Sequence, residues 1–275
     1  MYKVIYNKKI SENAYEMLVE AKDVVMSTMP GQFVIVMANI NSERIPLTIY
    51  DYDRELGHLY LIYQVVGAST LELTKIKDNL FSVTGPLGHP NEICMNIDEY
   101  KDKKILYIAG GVGIAPVYPQ VKYLKENNLN VDIIYGARSK DLLLIQDKIE
   151  KLTNVMYATD DGSYGIKGYV TDILKDKIND YDIVVAIGPV IMMKNVCDIT
   201  KKNNVKTIVS MNPIMVDGSG MCGACRCIVD GKPKFACIDG PEFDGAKVDF
   251  DLALKRMNIY KEEEKIKYEE MMNNE

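Results

Sequence analysis

The chain has 275 residues, 47% of them hydrophobic, enough to bury more than one compact core, and a formal net charge of −6 from 33 basic and 39 acidic side chains. Those charges are interspersed, so no basic block exists to neutralise a phosphate backbone, and the pattern argues against nucleic acid as a partner. The chain lacks the run of about 18 apolar residues that a membrane span needs, and its first residues mix Lys, Asn and Glu with apolar ones, unlike a secretory signal, so a cytoplasmic location is expected.

Up to residue 98 the sequence carries short β-rich runs between turn residues: Gln32–Met37, Leu47–Tyr52, His58–Val66 and Leu80–Thr84. Such spacing predicts a small antiparallel β-barrel. Over 99–210 the texture changes, because the apolar runs Ile105–Ala109, Val131–Tyr135, Asn154–Ala158, Asp182–Ile187 and Val205–Val209 alternate with helix-like stretches such as Val117–Glu126. This alternation predicts an α/β domain with a parallel sheet. A cysteine-bearing segment follows over 211–248. The tail, 249–275, is predicted to be helical, with Leu252, Leu254, Met257 and Tyr260 on one face.

Two glycine turns stand at the ends of predicted strands. The first runs Gly110-Gly111-Val-Gly113-Ile-Ala-Pro116, directly after Ile105–Ala109, and opens a helix whose first turn suits Pro116. A strand, glycine turn and helix together bring amides and a positive helix end toward phosphate, although the third glycine of the G-x-G-x-x-G pattern is missing. The second turn, Gly188-Pro189, follows Asp182–Ile187 in the same way. A tight connection would use the same letters, but two such turns at strand carboxyl ends mark the place where α/β sheets bind ligands.

Four of the six cysteines, Cys222, Cys225, Cys227 and Cys237, fall within sixteen positions, which reads as metal binding rather than as a disulfide framework. Glycines 218, 220 and 223 let this loop wrap closely around a compact object. An iron–sulfur cluster needs four protein ligands; Cys222, Cys225 and Cys237 supply three, and the fourth is Asp217 or Cys227. Plant-type ferredoxins space their ligands C-x4-C-x2-C, and here Asp217 stands where the first Cys would, so spacing favours Asp217 and leaves Cys227 as a packed side chain. A structural zinc site is the alternative, weakened by the presence of only one C-x2-C unit and only two histidines.

The glycine turns, the upstream barrel and the downstream Asp-plus-three-Cys set together resemble the ferredoxin-NADP reductase superfamily over nearly the whole chain. Within it the chain is similar to the electron-transfer subunits of dihydroorotate dehydrogenase B. It is closer still, on the strength of Asp217, to the small subunits of NADH-dependent reduced ferredoxin:NADP oxidoreductase, also known as sulfide dehydrogenase subunits. The resemblance implies an oxidoreductase whose barrel holds FAD. Arg44-Ile-Pro46-Leu47-Thr48 looks like the flavin motif, with Arg44 at the pyrophosphate and Thr48 as the catalytic hydroxyl near flavin N5. It departs from the usual Arg-x-Tyr-Ser/Thr by one added residue and by the missing Tyr. Gly67, Ser69 and Thr70 resemble the second pyrophosphate contact, and Gly85 the turn that closes the flavin domain. Gly110, Gly111, Gly113, Pro116, Arg138, Asp160, Gly188 and Pro189 are implied around the nicotinamide nucleotide, NAD(H) or NADP(H), which exchanges hydride with the flavin. A [2Fe-2S] cluster on Asp217, Cys222, Cys225 and Cys237 takes single electrons onward. The same resemblance implies a heterodimer with a larger flavoprotein and iron–sulfur subunit that reaches ferredoxin and performs electron bifurcation. A subunit serving dihydroorotate oxidation, or a non-catalytic zinc- or nucleotide-binding module, are the alternatives.

Overall fold

The amino-terminal region folds into a nearly closed antiparallel sheet; the computed structural model describes residues 1–273 of the chain. Its strands are β1 (Tyr2–Lys9), β2 (Ala14–Glu20), β3 (Phe33–Met37), β4 (Ile45–Asp53), β5 (His58–Gln64), β6 (Asn79–Leu80) and β7 (Ser82–Leu87), in the order β6-β1-β2-β5-β4-β3-β7. Along β4, Ile45, Leu47 and Ile49 enter the core with Met17, Val34 and Leu61, while Pro46 and Thr48 face outward. The single predicted run Leu80–Thr84 divides into β6 and β7, and the strands β1 and β2 escaped the sequence reading. In β1 the apolar residues are diluted by Lys3, Asn7, Lys8 and Lys9, because this strand meets only the two residues of β6 on its far side.

The second sheet runs β11 (Ile166–Lys167), β10 (Val155–Thr159), β9 (Asn130–Ala137), β8 (Lys104–Gly110), β12 (Ile183–Ile187), β13 (Lys206–Ser210) and β16 (Glu242–Asp244), parallel throughout except for β16. Its central strands are apolar at almost every position because both faces are covered. Ile105, Tyr107 and Ala109 of β8 pack on one side with Val117 and Val121 of the helix Ile114–Glu126. Leu106 and Ile108 pack on the other side with Leu174 and Met193 from the helices Val170–Lys177 and Val190–Lys202. Strand order reverses between β8 and β12, so a crevice opens at their carboxyl ends.

Barrel and sheet share a core, with Tyr50 of β4 packed on Tyr118 at a ring separation of 5.0 Å. Two ion pairs, Lys122–Asp51 at 3.0 Å and Lys148–Glu16 at 3.4 Å, cross the same junction. The cysteine segment adds the hairpin β14 (Arg226–Val229) and β15 (Lys232–Phe235), and β16 stitches its end to the sheet edge. Beyond it lie two helices, Phe250–Met257 and Lys261–Asn273, instead of one. The predicted stripe is not a buried face: Leu252, Met257 and Tyr260 are exposed, while Phe250 is buried and Ala253 and Leu254 pack beside it. Among the described residues no helix is long and apolar enough to cross a membrane.

Candidate redox site

The two glycine turns meet at the switch point. A side chain at Gly113 would bring its Cβ to 2.3 Å from the Ile187 carbonyl oxygen, and one at Gly188 to 3.0 Å from the Gly110 backbone, so only glycine permits this approach. Gly111 adopts φ +55°, and Pro189 precedes the helix Val190–Lys202. Pro116 lies in the first turn of the helix Ile114–Glu126, where its missing donor leaves no intrahelical bond unmade. Arg138 and Asp160 follow the adjacent strands β9 and β10, where Asp161 N donates to Arg138 O at 3.2 Å. The structure thus gathers Gly110, Gly111, Gly113, Arg138, Asp160, Gly188 and Pro189 along one edge of the sheet. Tyr135, which the sequence reading missed, braces that edge: its hydroxyl donates to Gly111 O at 3.1 Å and accepts from Leu144 N at 2.9 Å.

On the barrel, Arg44 precedes the outward positions Pro46 and Thr48 with the period of a strand, whereas the Leu47 side chain is buried in the core. Gly85 is accounted for by packing, since a Cβ there would meet Val34 at 2.7 Å. Gly67, Ser69 and Thr70 open the short helix Ala68–Thr74, but the Thr70 hydroxyl is spent on its own helix start, accepting from Gly67 N at 3.1 Å and Val66 N at 3.0 Å. Ser69 donates to Glu43, which also accepts from Lys267 of the last helix. Arg44 reaches in another direction, donating from Nε to Val216 O at 2.9 Å and from Nη2 to Asp217 O at 3.2 Å.

The segment beyond Ser210 forms a loop closed by its own amides. Asp217 accepts from Ser219 N at 2.7 Å and Cys222 N at 2.9 Å, bonds that hold its carboxyl below the usual range. Cys225 and Cys237 are buried with their sulfurs 3.1 Å apart, too far for a disulfide of about 2.05 Å. Two thiolates on one tetrahedral metal, with bonds of about 2.3 Å, would stand about 3.8 Å apart, a sub-ångström opening away. Amides aim at sulfur as well, Ala224 N at Cys222 Sγ and Cys237 N at Cys225 Sγ, each at 3.5 Å. Among the described residues no three His, Cys, Asp or Glu side chains converge on a single ion. The donors fall instead into two pairs, Asp217 with Cys222 and Cys225 with Cys237, and a two-iron cluster asks for two ligands on each iron. Cys227 turns into the apolar core beneath the hairpin, among Val229 and Phe250.

One further constellation was invisible in the sequence. Glu242, on β16 and five residues past Cys237, accepts from Asn91 Nδ2 and from Gln120 Nε2, both at 2.7 Å, and Asn91 also donates to Gln120 Oε1 at 2.9 Å. Asn91 caps the first short helix, Glu92–Met95, of the connection from barrel to sheet, and Gln120 belongs to the helix after the first glycine turn, so the three amide and carboxyl groups join barrel, nucleotide-binding sheet and cysteine segment. Burial pushes the Glu242 carboxyl up to about 7 against the two amide bonds, which act to lower it.

Comparison with known proteins finds relatives for the cysteine segment, for the α/β domain and for the whole chain. Residues 212–249 match the model for the iron–sulfur cluster binding domain of dihydroorotate dehydrogenase B, and residues 107–198 match that for the oxidoreductase NAD-binding domain. A Thermotoga maritima protein named as a dihydroorotate dehydrogenase B (NAD(+)) electron transfer subunit homolog is 44% identical, over 98% of this chain and 95% of its own length. The solved structure of an NADH-dependent reduced ferredoxin-NADP oxidoreductase, described for flavin-based electron bifurcation, contains a chain 41% identical that superposes with a TM-score of 0.91, covering 99% of this chain and 98% of that one. The Plasmodium falciparum ferredoxin-NADP+ reductase, at 18% identity and a TM-score of 0.60 over 76% of this chain and 94% of its own, shares the fold.

Proposed function

This chain belongs to the family of dihydroorotate dehydrogenase B electron-transfer subunits and their homologues, and on that premise we propose that it is the smaller subunit of a bifurcating NADH- and ferredoxin-dependent NADP oxidoreductase. It is an oxidoreductase of the ferredoxin-NADP reductase type. The observation that carries the finer reading is the likeness to the bifurcating enzyme's chain along almost the full length of both. Asp217 at the first ligand position supports it. A second reading, an electron-transfer subunit for dihydroorotate oxidation, is favoured by the cysteine-segment match and by the name of the Thermotoga relative.

In this proposal the domains run 1–98 for flavin, 99–210 for the nicotinamide nucleotide and 211–248 for the cluster, with 249–275 as a tail. Bound FAD supplies a two-electron centre able to pass electrons singly, and a [2Fe-2S] cluster a one-electron carrier. Thr48 presents a hydroxyl that can donate to an unprotonated ring nitrogen or accept from a protonated one, so it orients the flavin in either redox state. Pro46 and the Leu47 backbone flank it, Ser69 and Arg44 are offered to the pyrophosphate, and Gly67 and Gly85 shape the walls. The turns at Gly110 to Gly113 and at Gly188 and Pro189 present their backbones to the nicotinamide nucleotide, with Arg138 and Asp160 at its far end. Asp217, Cys222, Cys225 and Cys237 ligate iron. A larger flavoprotein subunit, and ferredoxin through it, complete the electron path.

The test is visible and low-temperature EPR spectroscopy of anaerobically purified protein before and after NADH and a stronger reductant, with Asp217→Ala beside it. Flavin bleaching and a reduced [2Fe-2S] signal that changes with Asp217 are expected, and a colourless protein holding zinc without iron would sink both readings. The copurifying large subunit separates them. Ferredoxin- and NADH-coupled NADP+ reduction marks the first, and dihydroorotate-dependent NAD+ reduction the second.

A further inference from the structure

Arg44 belongs to the barrel, yet two of its three guanidinium nitrogens bond to a loop 172 residues later in the chain. The bonds from Nε to Val216 O and from Nη2 to Asp217 O, 2.9 and 3.2 Å long, engage two successive carbonyls with one planar fork, a task that a lysine ammonium, a single point of charge, cannot repeat. Two further contacts fix the same loop. Gly218, at φ +77°, lies so close to the barrel that an added Cβ would stand 2.7 Å from both Ile35 and Leu87. At the loop's other end, Arg256 of the helix Phe250–Met257 donates from Nη2 to Ala224 O at 3.2 Å. The stretch between Val216 and Cys225 has no helix or strand of its own, so its shape is set by these outside donors together with the Asp217 turn.

We infer that Arg44 is a positioning residue for the iron–sulfur loop: with Arg256 opposite, it clamps the backbone on either side of Asp217 and Cys222 and places two fixed positive charges beside the cluster. This rests on the reading of Asp217, Cys222, Cys225 and Cys237 as ligands, and it gives Arg44 a duty distinct from any contact with flavin pyrophosphate. Two consequences differ in kind. The charges favour the reduced, more negative cluster, so removing one lowers its midpoint potential. The fork orients the loop backbone, and with it the ligand that sets the cluster's electronic asymmetry.

The experiment uses the full-length protein with its cofactors and compares Arg44→Met, Arg44→Lys and Arg256→Met with wild type and with wild type stripped of FAD. The readouts are iron and flavin content, the EPR spectrum of the reduced cluster and its midpoint potential by redox titration. Arg44→Met should broaden and shift the EPR signal and lower the potential relative to deflavinated wild type. Arg44→Lys should restore the potential while leaving the spectrum altered, and Arg256→Met should lower the potential again. If Arg44→Met fails to retain iron, the lysine variant, which keeps stem and charge, carries the comparison. A cluster spectrum and potential in the Arg44 variants matching deflavinated wild type would overturn the inference, whatever happens to flavin content. Wild-type protein that takes up no iron would remove the ligand reading and this inference with it.

Discussion

Replacing Glu242 by Gln should make the variant gain stability relative to wild type as pH rises from 5 to 8. Both carboxylate oxygens of Glu242 accept from amide donors at 2.7 Å, and its carboxyl is pushed up to about 7 from an ordinary 4.5 by burial. A folded-state value above the unfolded one means that the folded chain binds the extra proton between those two pH values. Stability is therefore lost as pH climbs from about 4.5 to about 7, and is flat above. At about 1.4 kcal/mol for each tenfold change in proton affinity, the ceiling is about 3 kcal/mol. Glu242 also lines a cavity of about 310 Å³ shared with His89, Glu92, Asp239 and Asp244. Water entering there would solvate the carboxylate, and we expect about 1–3 kcal/mol.

The amide introduced by Glu242→Gln cannot titrate and mimics the protonated acid, its NH2 group facing one of the two donors that the carboxylate accepted from. At pH 5 the variant should thus lie within about 1–2 kcal/mol of wild type, the cost of one unmatched polar group. By pH 8 the gap should close or reverse. Urea unfolding of the two proteins side by side measures this difference, and infrared titration of the native protein should show one carboxylic acid band, absent from the variant, fading near pH 7. A wild-type-minus-variant difference that does not change between pH 5 and 8 would refute the argument and leave Glu242 a permanently ionised clamp.

Lys148→Met tests a pair with the opposite sign: burial alone would raise the Glu16 carboxyl, but Lys8 and Lys148 together hold it below its usual value. That support is present above about pH 4.5 and lost as pH falls through the folded value, so the variant's deficit of about 1 kcal/mol at pH 7 should vanish on acidification in the same urea assay. Gly113→Ala should cost about 1–3 kcal/mol through the collision with the Ile187 carbonyl, and weaken NADH binding at least tenfold by calorimetry. Truncation at residue 260 should leave stability within about 0.5 kcal/mol, because the helix Lys261–Asn273 is largely exposed. Truncation at 249 removes buried Phe250 as well and should cost about 3 kcal/mol or more.

What the sequence made legible follows from how locally each feature is encoded. The inner strands β8 and β12 are covered on both faces, so they appear as unbroken apolar runs, and the glycine turns appear because backbone contact leaves no alternative residue. Strand β1, short of partners and rich in polar residues, carries no such signal. The Asp217, Cys222 and Cys225 spacing is confined to nine residues and could be read directly. Arg44 could be singled out, but the loop it holds lies at the other end of the chain. Glu242, Asn91 and Gln120 gave no signal at all, since no motif joins residues 151 positions apart. Thr70 shows how one pattern serves two purposes: small residues opening a helix fit a phosphate contact, and the same hydroxyl caps its own helix start.

These long-range bonds share a reason. The elements proposed to carry redox groups are a barrel strand, two turns and a loop, and turns and loops have too few internal bonds to hold a geometry alone. Positioning has to come from rigid elements around them. The structure provides this at three points: Tyr135 under the first glycine turn, Arg44 and Arg256 at the ends of the cysteine loop, and the Glu242 network where all three parts of the chain meet. Loss of any one should therefore disturb the placement of one group while leaving the folded sheets intact. Tyr135→Phe offers the sharpest case: it keeps the ring and removes only the hydroxyl, so nucleotide binding should weaken by about fivefold, the worth of about 1 kcal/mol of lost hydrogen bonding, with flavin content and cluster spectrum unchanged.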